Sequence, residues 1–298
     1  MSQFAAPPEE EGAEEVASAS AVGAATQIEA MPPLPPTGAP KSESEGNDGD
    51  GGADESGTDV GSEVGSDSEC DEEQALHPNF YDWEQIFGDV PELRTLRDAH
   101  DVVLAELERL EDPALFNWPE QNLYDGVGEQ WKVLPFLHTF PGNDASKSVW
   151  MNRFCEMCPE TVKLLRAIPG IRTALLSRMG PQTRLSAHRG WADLANHVLR
   201  LHLGLRIPHT KTRKGGADGE VASDDHTCGL WVRGEKRYHR AGEIICFDDS
   251  KLHKAFNNHP TENRSVLIFD IVRPSHLPSG SAQKGHTDAL DGFIAYFR

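Results

Sequence analysis

The segment Val198 to Ile207 reads VLRLHLGLRI, and the two-residue period of a strand divides it into two faces. Leu199, Leu201, Leu203, Leu205 and Ile207 fall on one face, and Arg200, His202, Gly204 and Arg206 on the other. An arginine fork two residues from an imidazole is suited to holding a carboxylate, and the glycine leaves room above the sheet. The same alternation also describes a half-buried strand with a solvated charged face, and periodicity alone leaves both readings open. Three further residues bear on the choice. His188 stands in AHRG at the end of one strand-like run. His253 stands in FDDSKLH, where another run gives way to a turn, and Arg264 opens the apolar run in NRSVLIFDIVRP. Any single histidine here is more often structural than a ligand; the ordered set is harder to assign to structure alone.

These residues sit within a longer pattern: CPETVKLL, IPGIRTALLSRMGPQT, HRG, LRLHLGL, GEIICFDDSKLHKAFN and NRSVLIFDIVRP. In this order and spacing, the stretch from Trp131 to Pro274 resembles the aspartyl/asparaginyl β-hydroxylases, a family of iron- and 2-oxoglutarate-dependent oxygenases. The resemblance covers about half the chain. It implies a mainly β fold, the double-stranded β-helix or jelly-roll barrel, with Fe(II) at its mouth, 2-oxoglutarate as co-substrate and O2 as oxidant. On this resemblance His188 and His253 are the metal ligands. Arg200 and His202 face the C1 carboxylate end of 2-oxoglutarate, Arg264 and Ser177 hold its C5 carboxylate, and Trp131 lies beside it. The implied reaction inserts one oxygen atom into an unactivated C–H bond, at Cβ of Asp or Asn in a peptide or protein. The alternatives are a hydroxylase of a small molecule or a lipid-linked acyl chain on the same fold, and a non-catalytic binding protein.

Most non-haem iron oxygenases place two histidines and one carboxylate on one face of the metal. The position two after His188 is Gly190, so that carboxylate is missing; the family shares the gap, which the resemblance fills with water. The link HRGWADLANHVLR is longer than in the family and carries Asp193, either a substitute carboxylate or a turn residue. Asp248 and Asp249 precede Ser250 at a strand end and read as the turn that delivers His253, with hydrogen bonds to that ligand within reach. Cys155 and Cys158 form a CxxC, but no second pair follows at finger spacing, and they read as two thiols near a helix start. An odd total of five cysteines argues against a disulfide framework and for a reducing compartment.

The elements that must carry these residues follow from the same periods. IRTALLSRM, TRLSAHR, HVLRLHLGLRI, CGLWVRGEKRYH, GEIICFDDS and RSVLIFDIV predict strands, with GPQT and RGEK as tight connections. Leu93, Leu96, Val103, Leu104, Leu107 and Leu110 share one helical face from Pro91 to Leu110, and a second helix runs from Pro159 to the Pro169-Gly170 break. Helices followed by six or more strands predict a jelly roll, with its core over 170–274 and helices on one outer face. The polar stretch 209–227 is too long for a simple hairpin and reads as a functional or mobile loop.

Charge divides the chain in two. Of 298 residues, 48 are acidic and 28 basic, but residues 1–80 hold 19 of the acids and one Lys. Residues 1–75 therefore read as a disordered acidic tail that can bind unknown protein partners, ahead of a near-neutral domain over 76–298. That balance argues against nucleic acid as a partner. No apolar run has the length of a membrane span, and the acidic start lacks a signal pattern, so the expected location is cytoplasmic.

Overall fold

The computed structural model describes residues 78–297 apart from 111–113, 121–122, 124–130, 214–220 and 225; the acidic tail predicted for 1–75 lies outside the described residues. The chain begins with strand β1 (Phe80–Tyr81) and helices α1 (Trp83–Phe87), α2 (Pro91–Asp98) and α3 (His100–Arg109). Strands β2 (Phe116–Asn117), β3 (Trp131–Thr139) and β4 (Ser148–Trp150) precede helices α4 (Asn152–Cys155) and α5 (Pro159–Ala167). Strands β5 (Ile171–Met179) and β6 (Thr183–Arg184), helix α6 (Ala192–Ala195) and strand β7 (Val198–Arg206) follow. The remaining strands are β8 (Thr210–Arg213), β9 (Val221–Asp224), β10 (Cys228–Val232), β11 (Glu235–Tyr238), β12 (Ile244–Phe247), β13 (His253–Asn257) and β14 (Arg264–Val272), before helix α7 (Asp288–Tyr296).

The larger sheet has the order β1-β12-β7-β14-β5-β3-β2, with β4 also on β3, and the smaller has the order β11-β10-β13-β6. Neighbouring strands are antiparallel throughout both. From β5 to β7 and again from β11 to β14 the chain passes back and forth between the two sheets, which is the expected double-stranded β-helix. Leu199, Leu201, Leu203 and Leu205 of β7 are buried in one apolar cluster with Leu93 and Leu96 of α2, Val103 and Leu107 of α3, and Leu165 of α5. Helices thus cover one face of the larger sheet, and Arg200 and His202 lie on the opposite face, toward the barrel interior. The alternation in VLRLHLGLRI is a barrel wall with a polar lining, and the solvated-face reading is set aside.

Two local expectations are corrected, and one strand is added. The helix predicted from 91 to 110 is two helices, broken at Ala99. The break lets α3 lie along β7, where the His100 ring bonds the Leu205 carbonyl at 3.0 Å. The loop expected at 209–227 contains a two-stranded ribbon, with β8 paired to β9 from Thr210↔Asp224 to Arg213↔Val221. Its β-branched residues Thr210, Thr212 and Val221 favour extended backbone, and pairing satisfies backbone groups that a free loop would leave to water. Strand β3 was not foreseen at all, because Pro135 interrupts its pattern; the ladder to β5 shifts register between Pro135 and Leu137. The RGEK connection is a tight hairpin as expected, with Arg233 at φ 42° and Gly234 at φ 96°. Cys155, the last residue of α4, and Cys158, just before α5, are buried free thiols, and burial pushes Cys158 up to about 12.

Candidate metal and co-substrate site

His188 follows β6 and His253 opens β13. Their backbones form an antiparallel bridge, with N–H···O distances of 2.9 and 2.8 Å, which sets the two rings 4.4 Å apart. Each ring directs Nδ1 to a backbone carbonyl, that of Ser186 at 2.8 Å for His188 and that of Lys251 at 2.9 Å for His253. A ring that donates from Nδ1 presents Nε2 as a lone pair, the form a metal binds. Burial, with His188 nearby, holds His253 well below the usual imidazole range, so it is neutral.

The neighbouring carboxylates divide by role. Asp248 accepts from the Ser250 hydroxyl at 2.6 Å and from two Arg273 nitrogens at 2.7 and 3.1 Å, which fixes the turn before His253. Asp249 turns inward. Its Oδ1 accepts from Arg200 Nη1 at 2.7 Å and lies 3.3 Å from His253 Nε2. Oδ2 of Asp249 is buried with no hydrogen-bond partner among the described residues. Arg200 also forks onto Asp270, with Nε and Nη2 at 2.8 and 2.9 Å from its two oxygens. Burial opposes the Arg200 charge, but the two carboxylates outweigh it and hold the guanidinium cationic. Burial pushes the Asp249 carboxyl up, against the pull of Arg200. Asp193, the other candidate carboxylate, instead pairs with His286, whose Nε2 lies 2.9 Å from Asp291 of α7.

Arg264 opens β14 at the far end of the interior face. It is 1% exposed, and neither Nε nor Nη2 has a hydrogen-bond partner among the described residues. Burial lowers its pKa to about 10, which still leaves it charged at neutral pH. Ser177, two register positions away on β5, accepts from Trp131 Nε1 at 2.9 Å. His202 is buried on the same face of β7, with Nδ1 3.2 Å from Nε2 of His239. A buried guanidinium with unused donors is costly unless a ligand supplies the opposite charge. The residues present therefore fit a carboxylate at Arg264 and a metal at the histidine pair.

Beside His188 and Arg200 opens a cavity of about 120 Å³ with mainly apolar walls. Trp118 stacks on Trp131 and Trp191, at centroid separations of 4.6 and 5.9 Å, and Leu290, Phe293 and Ile294 of α7 line another side. The buried Glu120 carboxylate ties this wall together, accepting from Trp118 Nε1 at 3.2 Å, Trp191 Nε1 at 3.2 Å and Thr287 Oγ1 at 2.9 Å. Thr287 is also the N-cap of α7.

All seven residues singled out in the sequence, His188, His253, Arg200, His202, Arg264, Ser177 and Trp131, belong to this interior. Sequence reasoning missed Asp270, His239 and the α7 wall. Asp270 shares the period-2 face of Arg264, Val266 and Ile268, so its inward position was readable. His239 lies in RYHRAG beyond a strand end, where the period gives no face.

Among the described residues no group of three or more His, Cys, Asp or Glu is arranged to hold a metal. The profile for aspartyl/asparaginyl β-hydroxylases matches residues 97–274. The chain is 34% identical over 122 residues to the ornithine lipid ester-linked acyl 2-hydroxylase of Rhizobium tropici, covering 41% of this chain and 37% of that one. It is 30% identical over 196 residues to aspartate beta-hydroxylase domain-containing protein 2 of Mus musculus, covering 60% of this chain and 50% of that one. The chain thus spans half or less of the length of these relatives. A 2OG-Fe(II) oxygenase family oxidoreductase from Burkholderia pseudomallei aligns with a TM-score of 0.38 at 12% identity, over 63% of this chain and 82% of its own. On the profile match, which takes in both histidines and strands β2 to β14, the chain belongs to the aspartyl/asparaginyl β-hydroxylase family.

Proposed function

We propose that the protein is an Fe(II)- and 2-oxoglutarate-dependent hydroxylase. The observation that carries this reading is Arg264, a buried cation with unused donors, on the interior face that also leads to a histidine pair with both Nδ1 atoms engaged. In this reading His188 and His253 hold the metal through Nε2. Arg264 and Ser177 bind the distal carboxylate of 2-oxoglutarate, with Trp131 fixing the serine, and His202 and Arg200 face its other end. Once loaded, the site would supply the oxidation in which O2 and 2-oxoglutarate give succinate, CO2 and one oxygen atom inserted into a substrate C–H bond. The chain's own residues position substrate, exclude water and balance charge; no side-chain general base is required. Asp249 is the carboxylate that faces the histidine pair, and Asp193 is engaged elsewhere by His286.

For the substrate, membership of the family supports Cβ of Asp or Asn in a peptide, and Arg189, on the cavity wall, would be the cation for such a side chain. The cavity itself favours a different class. Its walls are mainly apolar, and Arg200 is already matched by two carboxylates, so an unbranched apolar chain such as an acyl group is better accommodated than a charged side chain. The relative named as an acyl 2-hydroxylase supports the same class. The deciding experiment titrates Fe(II) and then 2-oxoglutarate into the protein without oxygen and follows the charge-transfer absorption of the chelate. Succinate release is then measured with Asp- or Asn-containing peptides and with acyl amides. No chelate band would leave a non-catalytic binding protein, and a band with turnover on peptides alone would reverse the substrate assignment.

A further inference from the structure

We propose that His239 is a positioning residue for the co-substrate: it fixes the tautomer of His202 so that His202 presents an N–H to a bound carboxylate. This rests on the reading of the co-substrate pocket given above, in which His202 faces the end of 2-oxoglutarate opposite Arg264.

The placement of His239 begins with a glycine on another strand. A Cβ at Gly204 would lie 2.1 Å from the Arg240 carbonyl oxygen, so only glycine lets the chain after β11 cross directly over β7. The backbone N–H of His239 donates to the Cys228 carbonyl at 3.0 Å. The crossing brings the His239 ring to His202, two residues before Gly204, with ring planes 10° apart and the 3.2 Å contact between nitrogens. His239 is 1% exposed and His202 3%. Burial, aided by the charge of Arg264, holds both rings neutral.

A neutral imidazole has one donor and one acceptor, so the shared bond has two arrangements. If His202 donates from Nδ1, its Nε2 is a bare lone pair, which repels a carboxylate. If His239 donates from Nε2, His202 accepts at Nδ1 and carries its hydrogen on Nε2, ready to donate. The second arrangement also gives His239 a lone pair at Nδ1, and the charge of Arg264 acts on that ring. The remaining nitrogens leave room for a ligand in this assignment. His202 Nε2, His239 Nδ1, and Nε and Nη2 of Arg264 are all buried without a hydrogen-bond partner among the described residues. Unsatisfied buried groups of this kind call for a ligand, and the two carboxylates of 2-oxoglutarate would satisfy the donors among them, the distal one at Arg264 and the other at His202. Fixing a histidine through its other nitrogen is the way proteins choose a tautomer.

The test uses the full chain loaded with Zn(II), which supports binding without turnover. 2-Oxoglutarate affinity is measured by calorimetry for wild type, His239→Phe and His239→Gln, and the imidazole nitrogens are assigned by 15N NMR. His239→Phe keeps a flat ring but cannot donate; binding is expected to weaken about 10–100-fold. His239→Gln keeps an amide donor and should recover most of the loss. In wild type with 2-oxoglutarate, His202 should carry its hydrogen on Nε2. The proposal is overturned if His239→Phe binds as tightly as wild type, or if His202 carries its hydrogen on Nδ1 in the complex. Should His239→Phe fail to fold, the wild-type NMR assignment decides alone. Wild type that binds no 2-oxoglutarate would overturn both this inference and the pocket on which it rests. Tight wild-type binding that His239→Phe leaves unchanged would overturn only the role of His239.

Discussion

Gly190 and Asp249 share one volume: a Cβ at position 190 would lie 2.0 Å from Oδ2 of Asp249 and 2.7 Å from the Ala195 side chain. The backbone N–H of Gly190 also donates to the Asp249 carbonyl at 2.8 Å. The missing carboxylate two residues after His188 is therefore matched by a carboxylate entering the same space from the strand-to-turn segment before His253. Gly190→Ala is expected to cost about 1–3 kcal/mol through overpacking. The penalty should shrink when Asp249 is replaced by Ala in the same chain, read as a double-mutant cycle in urea denaturation. Strict additivity would mean that the two positions do not compete for space.

The histidine pair gives a second expectation. His188→Ala or His253→Ala should abolish Fe(II) binding in anaerobic titration and succinate formation, while circular dichroism remains that of the folded barrel. Asp193→Ala should leave iron affinity almost unchanged and lower thermal stability, because it releases His286 and with it the approach to α7. A large loss of iron affinity in that variant would make Asp193 a ligand.

At the distal end, the order of damage to 2-oxoglutarate binding should be Arg264→Ala, then Arg264→Lys, then Ser177→Ala. Truncating the arginine leaves a buried carboxylate unpaired, at a cost of ~2–5 kcal/mol. Lysine keeps the charge and loses the fork. Ser177→Ala removes one neutral donor and strands the Trp131 Nε1–H bond, at about 1–3 kcal/mol. Calorimetric affinities on the Zn(II) form check the series, and wild-type affinity in Arg264→Ala would place the carboxylate elsewhere.

The apolar chamber can be probed at its two contrasting walls. Phe293 of α7 packs edge-on against Phe116 and Phe297, so Phe293→Ala should destabilise by about 3–5 kcal/mol and admit bulkier acyl groups. Arg189→Gln, by contrast, should leave turnover of an acyl amide near wild type. A selective loss of peptide turnover in Arg189→Gln, with acyl amides inert throughout, would favour the peptide class instead.

Acid should destabilise the metal-free protein. Burial is the chief cause that holds His202, His239 and His253 well below their ordinary value of 6.5. Their folded pKa values lie below the unfolded ones, so the unfolded chain takes up more protons as pH falls. Stability is thus full above about 6.5 and declines below it, by about 1.4 kcal/mol per pH unit for each histidine. The raised Asp249 carboxyl acts in the opposite sense at lower pH and softens the decline. Urea midpoints between about pH 8 and pH 5 check this; a flat profile would mean that the histidines are not held neutral, and His239→Phe should make the slope shallower.

What the sequence determined by itself was local and periodic. The alternation in VLRLHLGLRI assigned leucines to the helix-covered face of β7 and Arg200 and His202 to the interior, because side chains on a strand must alternate. The turn at Asp248-Asp249-Ser250 and the gap at Gly190 were equally legible, since each depends on neighbours a few residues away. Only the tertiary structure decided how those residues are spent. Arg200 is matched by Asp249 and Asp270, which lie 49 and 70 residues along the chain, through pairings of β7 with β12 and β14 that no local period encodes. The pairing of His239 with His202 depends on a chain crossing over Gly204, and Glu120 reaches Thr287 across 167 residues to hold α7 against the chamber. A period reports which way a side chain points; strand order and register decide what it meets there.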